Sequence, residues 1–238
     1  LQRLILKNDP ALPPALFAAF DALIGDKAAD KALLAKALTL PSEAYLAQLT
    51  ETVDIDALHA MRRCIMEGVG RRFMTELQGV YAANTDTGPY APTPEAVGKR
   101  RLKNAALRYI LAADEKAGVA LAAKQYKTAT NMTDKMAALG ILSDTAAIER
   151  DEAFADFYKT WKNEPLVLDK WFALQALADR KDAPEAVARL LQHPDFTYKN
   201  PNRLRALVGS FASGNPKWFH RQDGSGYQLL ADTVIHIN

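Results

Sequence analysis

A repeat of helical segments constrains this chain more than any other feature. The strings RLKNAALRYI (101–110), TDKMAALGIL (133–142), LDKWFALQAL (168–177) and PNRLRALVGS (201–210) share an Ala-Leu pair. The pairs fall at 106–107, 138–139, 173–174 and 206–207, which gives offsets of 32, 35 and 33 residues. Each copy is followed by a second helical pattern and a turn. A helix pair at this period buries its apolar face only by stacking on its neighbours, which is the logic of an α-solenoid. The W-x2-L-G-x2-Y pattern of tetratricopeptide repeats is absent. HEAT- or armadillo-like pairs with shortened turns fit better. The expected fold is therefore all-α, a superhelical α-solenoid of antiparallel helix pairs.

The rest of the chain has the same helical period. Ala and Leu dominate, and β-branched runs are scarce. Apolar residues spaced i, i+3, i+4, i+7 predict helices over 13–24, 27–38, 42–49, 54–82, 94–112, 116–128, 133–142, 145–161, 167–178, 183–192, 201–212, 216–219 and 227–236. Asp182, Asn200 and Asn215 stand just before helices with an early proline, and are read as N-caps. The stretch 84–94, with Gly88, Pro89, Pro92 and Pro94, is the clearest loop. It divides a helical layer at 1–83 from a repeat region at 95–238, within one helical-repeat domain spanning 1–238. The chain opens on Leu1 and ends on ADTVIHIN in mid-helix. Both ends read as cut, so a piece of a longer protein is expected.

Composition narrows the function classes. Hydrophobic residues make up 49% of the 238 and charged residues 24%, as in ordinary soluble domains. The formal charge of +2 argues against a nucleic-acid partner, which calls for a basic face. No segment approaches the roughly 20 apolar residues of a membrane span, and no signal peptide precedes Leu1. The single cysteine, Cys64, excludes an internal disulfide and reads as a small packed residue in a reducing compartment.

Chemistry is sparse. His59, His193, His220 and His236 form no H-x-x-x-H, H-E-x-x-H or Cys/His cluster, so no metal site is legible. There is no G-x-S-x-G and no phosphate-binding G-x-x-x-x-G-K-[ST]. The Gly-rich DGSGY (223–227) follows no strand and reads as an inter-helix turn. His193 and His220 adjoin turn or cap residues, where surface or capping roles are expected. Trp161, Trp171 and Trp218 are assigned to the core or its rim. Nothing supplies a nucleophile, base and oxyanion set. The residues alone describe a non-catalytic helical solenoid.

The most informative string is NPNRLRALVGSF (200–211). Leu204, Leu207, Val208 and Phe211 form one apolar stripe, with Arg203 and Arg205 on its opposite flanks. Neither arginine has an acid three or four residues away, so local pairing does not account for them. Arg203 also completes a row of basic residues three positions before each aligned Ala: Lys103, Lys135, Lys170 and Arg203. Asp134 and Asp169 precede two of these, and Asn202 takes that place in the last copy. One reading is a solvated edge with inter-helix ion pairs. The other is a cationic concave wall that meets a carboxylate or a peptide.

Several strings together resemble a known family. NMTDKMAAL (131–139), LVLDKWFALQA (166–176), HPDFTYKNPNRLRALVGSFASGNP (193–216), FHRQDGSGY (219–227) and ALTLPSEAYLAQL (37–49) are similar to the C-terminal domain of the bacterial aminopeptidase N (alanyl aminopeptidase) group of M1 zinc metallopeptidases. The resemblance covers nearly the whole chain and is strongest from 131 to 227. It implies a large cytoplasmic enzyme that removes N-terminal residues from peptides. Its zinc, with H-E-x-x-H and a distant Glu as ligands, and its G-[AG]-M-E-N motif would lie upstream, outside this chain. The resembling domain caps the catalytic domain, its partner in the same polypeptide, and encloses the active site in a chamber that admits peptides. On this resemblance Arg203 and Arg205 face the chamber as substrate-binding residues, with no catalytic or metal-binding residue here. The family domain also continues past the equivalent of Asn238. A freestanding α-solenoid scaffold for a partner helix or acidic tail is the alternative. A helical-repeat RNA binder is a weaker third reading.

Overall fold

The computed structural model describes residues 12–86 and 88–237, and every regular element among them is a helix. They run α1 (Pro14–Gly25), α2 (Lys31–Ala37), α3 (Glu43–Ala47), α4 (Ile55–Arg72), α5 (Met74–Ala83), α6 (Pro94–Ala113), α7 (Glu115–Thr128) and α8 (Met132–Ser143). Then come α9 (Ile148–Trp161), α10 (Pro165–Ala176), α11 (Ala183–Leu190), α12 (Pro201–Leu204), a π-helical turn (Arg205–Gly209), α13 (Ser210–Gly214), α14 (Pro216–Phe219) and α15 (Ser225–Ile237). The all-α solenoid class expected from the period is what the chain adopts. It divides into two compact units, Leu1–Ile141 and Leu142–Asn238. The division falls near the end of α8, and the 84–94 loop lies inside the first unit.

Local chemistry explains where the helices differ from their expected bounds. The segment expected at 27–38 starts later, because the Asp26 carboxylate accepts from the N–H groups of Ala28 and Ala29, both at 3.0 Å. Such a turn competes with the helix. Asp30 then caps α2 by accepting from Leu33 N–H at 2.8 Å. The helix expected at 54–82 breaks at Phe73, whose φ of −118° and ψ of 28° end α4 and let α5 restart. Phe73 is buried, so its side chain anchors the break in the core.

In the first unit α6 is the hub, packed against α2, α4, α5 and α7. Leu102, Ala106, Tyr109 and Ile110 on α6 join Leu34, Leu38, Ile65, Val69, Phe73 and Leu77 in one apolar cluster. Burying each large side chain is worth about 1.5–3 kcal/mol. The Tyr109 hydroxyl donates to Leu38 C=O at 2.5 Å, which satisfies the one polar atom that side chain brings inside. Burial raises its pKa. Gly118 lets α7 approach α6 closely, because a Cβ there would lie 2.4 Å from the Leu111 Cα.

In the second unit α10 holds the centre, packed against α9, α11, α12, the π turn and α13. Its buried face is Leu168, Trp171, Phe172 and Ala176. That phase leaves Lys170 exposed. Two of the expected caps work differently. Asn215 is buried and donates its amide to Ala176 C=O and Ala178 C=O, both at 2.9 Å, so it closes the end of α10 in place of capping α14. Asp182 makes no cap hydrogen bond, because its carboxylate is taken by Arg180 at 2.9 and 3.0 Å. Asn200 does cap, accepting from Asn202 N–H at 3.0 Å and Arg203 N–H at 3.3 Å. Within DGSGY, Asp223 and Gly224 form the turn, with Gly224 at φ 72° and Asp223 accepting from Ser225 N–H at 3.0 Å, and Ser225 opens α15.

Candidate functional site

The string NPNRLRALVGSF folds as a short helix that widens into a π turn. Ser210 N–H donates to Arg205 C=O, five residues back. Such turns recur at functional sites because they re-aim side chains. Leu207, Val208 and Phe211 are buried as expected, whereas Leu204 is only half-buried.

The two arginines part company here. Arg203 is 6% exposed. Its Nε donates to the Asp169 carboxylate and its Nη1 to Asp195 C=O. The guanidinium carbon also lies 5.0 Å from the centroid of the Phe172 ring, a cation–π contact. The missing acid is thus 34 residues upstream, on α10. Arg203 is spent inside the fold, as the ion-pair reading of the basic row has it and the open-wall reading does not. Arg205 is exposed, and among the described residues its side chain has no hydrogen bond or ion pair. Its stem lies against Gly209, where a Cβ would stand 3.6 Å from the Arg205 Cβ.

The seat of Arg203 extends into a polar and aromatic cluster. The Asp195 carboxylate accepts from the Tyr158 hydroxyl at 2.5 Å, which raises the tyrosine's pKa. Asp195 N–H donates to Nδ1 of His193 at 3.1 Å. Rings of Tyr158, Trp171 and Phe172 surround His193, with centroids at 5.2, 5.4 and 5.6 Å. Burial pushes the His193 pKa down, Arg203 adds to that, and Asp195 opposes it. The sequence reading gave His193 a surface or capping role. It does cap a turn, but from within an aromatic enclosure.

The basic row does not form one uniform wall. Lys103 is buried and donates to Asp134 at 2.7 Å. Lys135 is half-buried, donates to Tyr126 C=O at 3.1 Å and sits 4.4 Å from that ring's centroid. Lys170 is exposed and Arg203 buried. The inter-helix ion pairs of the first reading therefore account for Lys103 and Arg203. Asp169 carried a sequence signal, as the acid beside a basic row. Nothing local to the sequence pointed to Asp195, Phe172 or His193 as the rest of the seat.

Among the described residues no group of three or more His, Cys, Asp or Glu side chains could hold a metal ion, and no helix is long and apolar enough to cross a membrane. The chain is 37% identical over 228 residues to Aminopeptidase N of Escherichia coli (strain K12), covering 96% of this chain and 26% of that protein. It is 38% identical over 213 residues to Aminopeptidase N of Caulobacter vibrioides, covering 90% of this chain and 25% of that one. A crystal structure of Legionella pneumophila aminopeptidase A, in complex with aspartic acid, superposes with a TM-score of 0.86 at 33% identity, over 95% of this chain and 28% of that chain. The chain thus spans about a quarter of the length of the curated relatives it matches. The family model for the ARM-repeat domain of unknown function DUF3458_C matches residues 1–238, and the chain belongs to that family.

Proposed function

We propose that this chain is the C-terminal cap domain of a zinc-dependent aminopeptidase, and that it helps admit and orient peptide substrates without supplying a catalytic centre. The observation that carries this reading is the match to aminopeptidase N along 96% of the chain but only 26% of that enzyme. Hydrolysis then belongs to the remainder of the polypeptide, the catalytic domain that this domain would cover. Zinc would be held there, since the described residues offer no set of ligands for it. A cytoplasmic location goes with this reading.

Within the domain, Arg205 is the residue suited to meet a peptide. It is an exposed cation with no partner among the described residues, and it stands on a turn whose neighbour Arg203 is fixed. A guanidinium can bind a carboxylate through two parallel hydrogen bonds and carbonyl oxygens through single ones. Its contribution to turnover would be positioning of the substrate's far end, not bond-breaking. Arg203 supports that role from inside. The test is Arg205→Ala in the whole enzyme. KM for peptides should rise more than KM for a single-residue chromogenic substrate, which has no distant carboxylate. Equal effects on the two substrates would overturn the assignment.

A further inference from the structure

We infer that His193 is a positioning residue for Arg205. In its neutral form it holds the turn that seats Arg203, and a proton on its ring releases that seat. This rests on the reading of Arg205 given above.

The argument starts from the turn. Nδ1 of His193 accepts the N–H of Asp195 at 3.1 Å. A ring nitrogen accepts only when it carries no proton, so this bond exists only in the neutral Nε2–H tautomer. The His193 carbonyl takes Phe196 N–H at 2.8 Å, which closes the same turn through the backbone. Asp195, between these two bonds, presents the carbonyl that receives Nη1 of Arg203. Fixing the turn therefore fixes one of the two anchors of Arg203. The other anchor is Asp169 on α10.

Burial and Arg203 oppose a proton at His193, and the Asp195 carboxylate favours one. From α9 the ring meets Tyr158, whose hydroxyl already engages the Asp195 carboxylate. From α10 it meets the uncharged rings of Trp171 and Phe172, with Asp169 reached only through Arg203. From α12 it faces the charge of Arg203 itself. A proton would convert Nδ1 from acceptor to donor, aim an N–H at the N–H of Asp195, and add a cation beside a guanidinium. The depressed pKa of His193 agrees with this geometry. Arg203 lies on the last α-helical residues before the π turn, and Arg205 opens that turn. Arg205 follows two residues along the same backbone, so loosening Arg203 would let the turn that carries Arg205 shift.

The test compares KM profiles of the whole enzyme between about pH 5 and 8, the range of histidine titration. Wild type should lose peptide affinity in acid, with KM rising roughly three- to tenfold, the worth of one hydrogen bond. KM for a single-residue chromogenic substrate should stay flat beside it. His193→Asn offers an amide oxygen to Asp195 N–H but cannot be protonated, so it should flatten the peptide profile and keep the neutral-pH value. His193→Phe fills the ring's space without an acceptor, and should raise peptide KM at every pH. The Arg203 Nε–H resonance gives a second readout independent of turnover. It should broaden in acid in wild type but not in His193→Asn. An acid limb that survives His193→Asn overturns the inference. Should Arg205→Ala leave peptide KM untouched, the reading of Arg205 falls first. The Arg203 resonance then still reports whether His193 controls the seat.

Discussion

The two units each bury a cation from the same row of the sequence, and they use it in opposite ways. In the first, Lys103 meets one carboxylate inside a set of side-chain amides. Its ammonium meets Asp134 at 2.7 Å, and that carboxylate also takes the amides of Asn104 at 3.0 Å and Asn131 at 3.1 Å. Gln125 donates to Asn104 at 2.8 Å and to Asp134 C=O at 2.9 Å, and Tyr81 donates to Gln125 at 3.1 Å. Each of these side chains has at least one hydrogen-bond partner within the network. In the second unit, Arg203 sits over the Phe172 ring, 5.0 Å from its centroid, and shares its donors between a carboxylate and a backbone carbonyl. An ammonium needs oxygens around a point. A guanidinium can pack one face on an aromatic ring and donate from its edge. The first arrangement bolts helices together, whereas the second leaves a neighbouring arginine free for other work.

The sharpest break should come at the aromatic side. Phe172 is fully buried at the centre of the second unit, and Phe172→Ala should cost about 3–5 kcal/mol in urea unfolding. In the first unit, Lys103→Met leaves Asp134 buried without its counter-charge and should cost about 3 kcal/mol. Adding Asp134→Leu should recover most of that loss, because an apolar pair replaces an ion pair of little net worth. A double variant no better than the single would show that the polar network itself, beyond the charge pair, holds the helices. Arg203→Lys keeps the charge but loses the planar fork, and about 1–2 kcal/mol should go with it.

A pH dependence should mark the second unit. The folded His193 binds its proton less readily than the unfolded chain does, whose histidine titrates near 6.5. Below that pH the unfolded state takes up the proton first. Stability therefore falls as the pH drops from 6.5 to the lower folded value, then levels off. Unfolding followed across this window should show the slope in wild type and less of it in His193→Asn. The smallest effect belongs to Arg205→Ala, which should change stability by no more than about 0.5 kcal/mol. A large loss there would make Arg205 a structural residue.

The helical period carried the architecture, because amphipathic stripes are written in neighbouring residues. Most helices lie within a few residues of their expected bounds, and apart from the break at Phe73 the departures arise at polar side chains. Asp26, Asp182 and Asn215 bond to groups that spacing rules cannot foresee, and so shift or vacate caps. The candidate site was half legible. The absence of local acids marked Arg203 as needing a distant partner, and Asp169 is that partner. Which of Arg203 and Arg205 turned inward depended on Asp169 and Asp195, and tertiary packing alone decides that. The phase of α10 misled in a similar way. Aligning Ala173 with Ala106 placed Lys170 in the row, yet the bulky Trp171 and Phe172 claimed the interior and turned Lys170 to solvent.

The π turn has a consequence for chain length. A hydrogen bond from Ser210 to Arg205 spans one residue more than an α-helical bond, so this segment carries a surplus residue. Deleting one position, such as Ala206, would let the helix run through in ordinary geometry. Residues on the two sides would keep their relative directions, because the π turn already absorbs the roughly 100° of the extra residue. Circular dichroism would register almost no change in helix content. Arg203 would keep Asp169 and Phe172 while Phe211 kept its slot. What the deletion removes is the wide turn that Arg205 opens, so the surplus residue shapes the surroundings of Arg205 and not the register of the flanking helices.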